Sequence, residues 1–401
     1  MNLPEASAQN RFQNCPVCGS NDVKELLNVG EALIFCNVLS ASRPAAVDAP
    51  RGKIDLVYCD QCTHIYNRSF QPELVEYSEG YENSLHFSPF FQNYARWLAD
   101  ELITRYDLHG KNLIEIGSGK GDFLRMFCEL GRNWGTGYDP SFPVQGELVE
   151  QDGRVRLVKG LFSPHRLDYP ADLVYSRHTL EHLPDPAGFV RLVRESIDNP
   201  GKTVLFLEVP NAPLIFEALS IWDIIYEHFS YFSQVSLVRL IQENGFQFCS
   251  VYETYAGQFL CIEANPDGCA EGLGQSTNEA HVRYREAISR FADNYQKKLI
   301  EWKKCLAALQ EEGKKVVVWG AGSKGVSFLN LLKEDTPIEF VVDINPRKTG
   351  QYMPASGQQV VAPEFLCAYQ PDAVIVMNPN YRDEISARLR ALGLTPKLLL
   401  A

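Results

Sequence analysis

The sequence predicts an α/β protein in which two doubly wound units, each opened by a glycine-rich turn, follow a small module with two Cys-x-x-Cys pairs. Three stretches predict this. The apolar run Leu113, Ile114 and Ile116 ends in Gly117-Ser-Gly-Lys-Gly121. Lys315-Val-Val-Val-Trp-Gly320-Ala-Gly322-Ser-Lys-Gly325 repeats the strand-to-turn arrangement downstream, and Cys15-Pro-Val-Cys18 with Cys59-Asp-Gln-Cys62 precede both. A chain of 401 residues holds two to three domains of ~100–200 residues each. The expected division is a metal-binding module over 1–75, a central domain over 76–270, a linking helix over 271–312 and a last domain over 313–401.

Two thiolates separated by two residues can share one tetrahedral ion, and four close its shell. Cys15, Cys18, Cys59 and Cys62 are therefore expected to hold a structural Zn²⁺, with Cys36 between them buried rather than ligating. The segments 26–37 and 54–58 read as short strands of this module. The formal net charge of −12 and pI near 5.3 argue against a nucleic-acid partner, which needs a basic face. No run of ~20 apolar residues spans a bilayer, and Met1-Asn-Leu-Pro-Glu-Ala-Ser lacks the basic and apolar regions of a signal peptide. The expectation is a cytoplasmic protein with no membrane partner, whose eleven cysteines are thiols and metal ligands.

Tyr77-Ser-Glu-Gly-Tyr81-Glu-Asn-Ser-Leu-His86 interleaves aromatic and polar residues, as a lid over substrate or a solvated loop before the helix expected at 91–107. The first glycine turn then lets backbone approach a ligand without a Cβ in the way. Glu115, two residues before it, can meet a cationic ammonium, and Gly137-Tyr-Asp139 ends the next strand in an acid suited to ribose hydroxyls. A third strand, Ala171 to His178, leads into Thr179-Leu-Glu-His-Leu-Pro-Asp-Pro186. This succession resembles a class I methyltransferase Rossmann-like core and points to S-adenosyl-L-methionine, with Glu115, Gly117, Ser118, Gly119, Gly121, Asp139, Arg177 and His178 as cofactor-binding candidates.

After a strand at 203–209, an apolar helix expected over 212–225 delivers Tyr226-Glu227-His228-Phe-Ser-Tyr231-Phe-Ser233. Methylating a carbon next to a carbonyl requires a base of pKa near the working pH, which a histidine provides. From 280 to 312, Ile288, Phe291, Tyr295, Leu299, Trp302, Leu306 and Leu309 recur by threes and fours, for packing between flanking domains or against another chain. The final unit, a second C-terminal Rossmann-like domain, has a full Gly-x-Gly-x-x-Gly and an acid, Asp343, at the end of the next strand.

This order of parts resembles the C-methyltransferases of nucleotide-linked deoxysugars. The resemblance implies a structural zinc, S-adenosylmethionine in the middle domain, and a sugar nucleotide between the middle and last domains. It further implies His228 as base toward a keto-sugar carbon, Glu227 as its neighbour, His182 at the keto oxygen or enolate, and Tyr77 or Tyr81 as N-terminal contacts. Tyr226, Tyr231, His86, Gly320, Gly322 and Lys324 complete the expected substrate contacts. Two spellings depart from the family, Gly117-Ser-Gly-Lys-Gly121 for Gly-Ser-Asn-Asp-Gly, and Ile225-Tyr-Glu-His228 for Tyr-x-Glu-His. The alternatives are a non-sugar natural-product acceptor, a nicotinamide-linked sugar oxidoreductase, or a zinc-scaffolded binding protein with an inert core; a monomer or homodimer is expected.

Overall fold

The computed structural model describes residues 12–75, 81–82, 84–163, 170–197, 199, 201–267, 278–332 and 337–401, without the side chains of 278–280. Three sheets organise them. In the first, β1 (Val23–Leu33), β2 (Arg51–Cys59) and β3 (Ile65–Asn67) run antiparallel, with α1 (Arg43–Val47) between β1 and β2. The long spacer between the cysteine pairs is thus one complete hairpin. The fourth strand, β10 (Ser230–Tyr231), comes from the central domain and pairs with β3 two residues beyond His228.

The central sheet has eight strands: β4 (Asn112–Ile116), β5 (Trp134–Asp139), β6 (Glu147–Glu150), β7 (Val155–Lys159), β8 (Leu173–Arg177), β9 (Val204–Pro210), β11 (Gln247–Thr254) and β12 (Phe259–Asn265). They stand in the order β11-β12-β9-β8-β4-β5-β7-β6, parallel from β9 through β7 and antiparallel at both margins. Parallel strands covered on both faces must be apolar throughout, which is why β4, β8 and β9 are almost wholly buried. One face carries α2 (Pro89–Tyr106) and α3 (Asp122–Gly131); α4 (Pro186–Glu195) and α6 (Gln234–Glu243) pack with the core of the other. Ser88 starts α2 by accepting from the Phe91 N–H, and Phe91, Tyr94, Leu98 and Leu102 form its buried stripe.

The helix expected over 212–225 does not run through. α5 (Ala212–Glu217) stops before Leu219, whose φ of +58° is left-handed, and a single tight turn over Ile221–Asp223 follows. Packing overrides helix propensity here, because the break lets Trp222 bury completely with its ring against Phe328.

α7 (Asn278–Glu311) is a 34-residue helix that runs about 50 Å at 1.5 Å per residue. Its Tyr284, Ile288, Phe291, Tyr295 and Leu306 are buried in one core with β1, α5 and the last domain, so the heptad-like stripe serves packing within the chain. That domain is a five-stranded parallel sheet, β15-β14-β13-β16-β17, from β13 (Val316–Trp319), β14 (Phe340–Val342), β15 (Gln359–Val361), β16 (Ala373–Val376) and β17 (Lys397–Leu400). α8 (Ser323–Leu331), α9 (Leu366–Tyr369) and α10 (Arg382–Ala391) complete it. Among the described residues, no helix is long and apolar enough to cross a membrane.

Candidate active site

The cysteine cluster lies where β2 turns into β3. Cys15 Sγ is 3.5 Å from Cys62 Sγ, and Cys18 Sγ is 3.6 Å from Cys59 Sγ. A tetrahedral ion with Zn–S near 2.3 Å spaces its sulfurs by about 3.8 Å, so the donor set fits zinc with no coordination position left for water. Arg285 of α7 clamps the turn through Asp60, Nη1 to Oδ1 2.6 Å.

At the first glycine turn, Gly117 has φ +78°, and a Cβ there would lie 2.0 Å from Thr179 Oγ1. Gly121 is equally obligatory, because its Cβ would meet the Leu157 side chain at 2.6 Å, whereas a Cβ on Gly119 would face open space. The Ser118 N–H donates to the Tyr138 carbonyl. Asp139 accepts from the Gly119 N–H at 2.7 Å and from the Ser141 N–H at 2.7 Å. Glu115 is buried with Oε2 unpartnered, and burial pushes its carboxyl up to about 8 against the pull of Arg177. An orphaned acid, an open glycine cradle and an acid at the end of β5 fit S-adenosylmethionine. Arg177 does not face this cradle: it stacks 4.1 Å over the Phe123 ring and donates from Nε to Glu208 Oε1 at 3.0 Å.

A cavity of about 320 Å³ opens beyond the carboxyl ends of β8 and β9 and reaches the last domain. Asn37 and Tyr81 line it on one side, His178, Glu181, His182 and His228 at its centre, and Gly320, Gly322, Lys324 and Asp343 on the other. The His182 and His228 rings stand edge to face with centroids 5.0 Å apart. His182 Nδ1 lies 2.9 Å from the Glu227 carbonyl; since a carbonyl only accepts, Nδ1 carries a proton. Burial pushes His228 down to about 3, His182 adding to this while Glu181 and Asp223 oppose it.

Several expected contacts fall elsewhere. Glu227 is fully buried, its Oε2 accepting from the Cys36 N–H at 2.8 Å, and its carboxylate is paired with Tyr81 and lies near His182 rather than the His228 ring. Adjacent side chains leave the backbone in different directions, so neighbouring numbers do not make it a partner of the His228 ring. Tyr226 packs on Phe70 and accepts from the Gln71 N–H at 2.9 Å, while Tyr231 is buried with its hydroxyl against the Ile225 backbone. Neither lines the cavity; both hold the segment that carries His228. His86 sits edge-on to Phe91 outside the cavity lining. Tyr77 lies outside the described residues.

Other cavity groups carry no local sequence signal. Asn37 comes from the cysteine module and donates to the Tyr81 hydroxyl at 3.2 Å. Asp223 reaches the site through the helix break and pairs with Lys324. The second glycine turn is internally braced: Asp343 accepts from the Ala321 N–H at 2.8 Å, and a Cβ on Gly325 would lie 2.1 Å from the Gly320 carbonyl oxygen.

Residues 90–251 match a family model described as a methyltransferase domain, and residues 270–394 match one described as a C-methyltransferase C-terminal domain. C-methyltransferase NovU of Streptomyces niveus is 26% identical over 399 residues, covering 93% of this chain and 91% of that protein. Among solved structures, magnesium protoporphyrin IX methyltransferase from Synechocystis PCC 6803 with bound S-adenosylhomocysteine is 13% identical, covering 44% of this chain and 83% of that one at a TM-score of 0.33. Burkholderia thailandensis 1,6-didemethyltoxoflavin-N1-methyltransferase is 16% identical, covering 44% and 80% at 0.32. Both family models carry methyltransferase descriptions. Two models in tandem, and a C-methyltransferase aligned along nearly the whole length, identify the chain as an S-adenosylmethionine-dependent C-methyltransferase.

Proposed function

We propose that the acceptor is a nucleotide-linked keto-sugar and that methyl transfer to the carbon next to its ketone begins with proton removal by His228. The observation that carries this is the shared cavity: the glycine turn and Lys324 of the last domain open onto the same space as the two histidines. An acceptor with an anionic linker at one end and a carbon acid at the other spans both. The N-terminus of α8 and the Lys324 ammonium suit the linker.

The ordinary acidity of an α-proton sets the task. Desolvation holds the half-buried His228 down at about 3, which favours the neutral ring with a free lone pair and at the same time weakens it as a base. His182, with Nδ1 committed to the Glu227 carbonyl, can donate from Nε2 to the developing enolate oxygen when doubly protonated. The Tyr81 hydroxyl and the Asn37 amide are further cavity donors for that oxygen. Bound S-adenosylmethionine supplies the electrophilic methyl group. Holding the carbon in place supplies the proximity that converts a bimolecular step into a local one.

His228→Asn tests this directly. Turnover falls on the order of a hundred-fold or more, the usual worth of a positioned base, while S-adenosylmethionine affinity is kept. Unchanged turnover removes His228 from the role.

A further inference from the structure

We propose that Glu181 is the carboxylate that serves the histidine pair, and that His178 is the cation that keeps Glu181 in place, both acting as positioning residues. The proposal rests on the histidine base read above. A Glu181 oxygen, a His182 ring nitrogen and a His228 ring nitrogen lie within 4.8 Å of one another. Glu181 is 1% exposed and its Oε2 has no hydrogen-bond partner, and His228 Nδ1 is likewise buried and unpartnered. Unpartnered buried atoms on two residues this close are costly at rest, and the carboxylate and imidazole become a charge-assisted pair once the imidazole takes a proton.

A buried carboxylate needs a counter-charge, and His178 supplies it. Its Nδ1 is 3.7 Å from Glu181 Oε1 and its Nε2 is 2.8 Å from Glu208 Oε1. His178 holds this place at φ +50°, a strained backbone for a residue with a Cβ, at the end of β8. Burial alone would lower the His178 pKa, yet the two carboxylates outweigh it and raise the pKa to about 9. Glu208 is anchored by Arg177 and by the Tyr94 hydroxyl, so the chain of charges runs from α2 to the cavity. The groups facing His228 are His182 and Glu181 on the turn after β8, His178 at its end, Asp223 after α5, and Tyr231 on β10.

Glu181→Gln should lower kcat on the order of a hundred-fold with acceptor KM and S-adenosylmethionine affinity nearly unchanged, and Glu181→Asp should restore part of it. The same loss should appear in exchange of the acceptor α-proton with deuterated solvent when S-adenosylhomocysteine replaces the methyl donor. Wild-type kcat should fall as pH rises through about 9, where His178 loses its proton, and His178→Gln should show that low rate already at neutral pH without the alkaline limb. Exchange and turnover in Glu181→Gln within twofold of wild type would overturn the proposal. Nitrogen NMR of the unliganded protein decides independently of any acceptor. His178 doubly protonated at neutral pH, with its transition moved downward in Glu181→Gln, supports the pair; a neutral His178 overturns it. Absence of any exchange by wild-type enzyme on keto-sugar nucleotides would instead count against the acceptor assignment.

Discussion

If Glu115 meets the ammonium of S-adenosylmethionine, as proposed from its unpartnered oxygen, binding should have a pH dependence of definite sign. Its free carboxyl titrates near 8, so it is mostly protonated at neutral pH, and a cationic ammonium beside it favours the ionised form. Binding therefore expels a proton, and affinity rises with pH until about 8 and then levels. Calorimetry in buffers of different ionisation enthalpy measures that proton at neutral pH; Glu115→Gln should release none. His178 has the opposite linkage, its stabilising charge being complete below the ordinary histidine pKa and lost as pH rises through about 9. At this scale the sequence was legible for His182, His228 and the glycines, which sit in recognisable turns. It did not reveal where the Glu227 carboxylate goes, toward the Cys36 N–H and the Tyr81 side chain rather than to its neighbour in number. Glu181 stands in an equally visible turn, but its partnership with His228 depends on how two separate segments meet.

The cysteine hairpin and the broken helix after β9 show how elements build the site. β10 ties the cysteine sheet to the segment carrying His228, so an ion held by the four cysteines would support the site from a distance. Cys15→Ser should release the ion, read as zinc per chain by elemental mass spectrometry, and should loosen the first sheet; a variant that retains one tightly bound zinc contradicts the four-thiolate assignment. The helix break places Asp223 against Lys324. Lys324→Met should raise acceptor KM about tenfold, the worth of one charge-assisted contact of roughly 1.5 kcal/mol, while leaving S-adenosylmethionine affinity intact. Steady-state kinetics with each substrate varied in turn separates the two. Strands and the long helix were readable from periodicity; the break at Leu219 was not, because it is decided by the burial of Trp222 against another domain.

Across the whole molecule, three modules meet at one cavity, and Glu82 shows how tightly. Its carboxylate accepts from Lys120 in the first glycine turn at 2.5 Å, and from Arg347 and Asn345 of the last domain at 3.2 Å each. Glu82→Ala leaves two half-exposed cations without their acid, a loss of about 1 kcal/mol that should lower Tm by a few degrees in a thermal scan. The order of modules was legible because each carries its own local spelling. Their convergence was not, since contacts such as these join residues far apart in the chain.

The most direct measurement is incubation of wild-type and His228→Asn enzyme with S-adenosylmethionine and a panel of thymidine-diphosphate 4-keto-sugars, with the product mapped by mass and NMR. The expected result is a new methyl group on the carbon next to the ketone, formed by wild type and nearly absent from the variant, with cofactor binding equal in both. Methylation at unchanged rate by the variant, or cofactor binding with no methylation of any keto-sugar nucleotide, would contradict it.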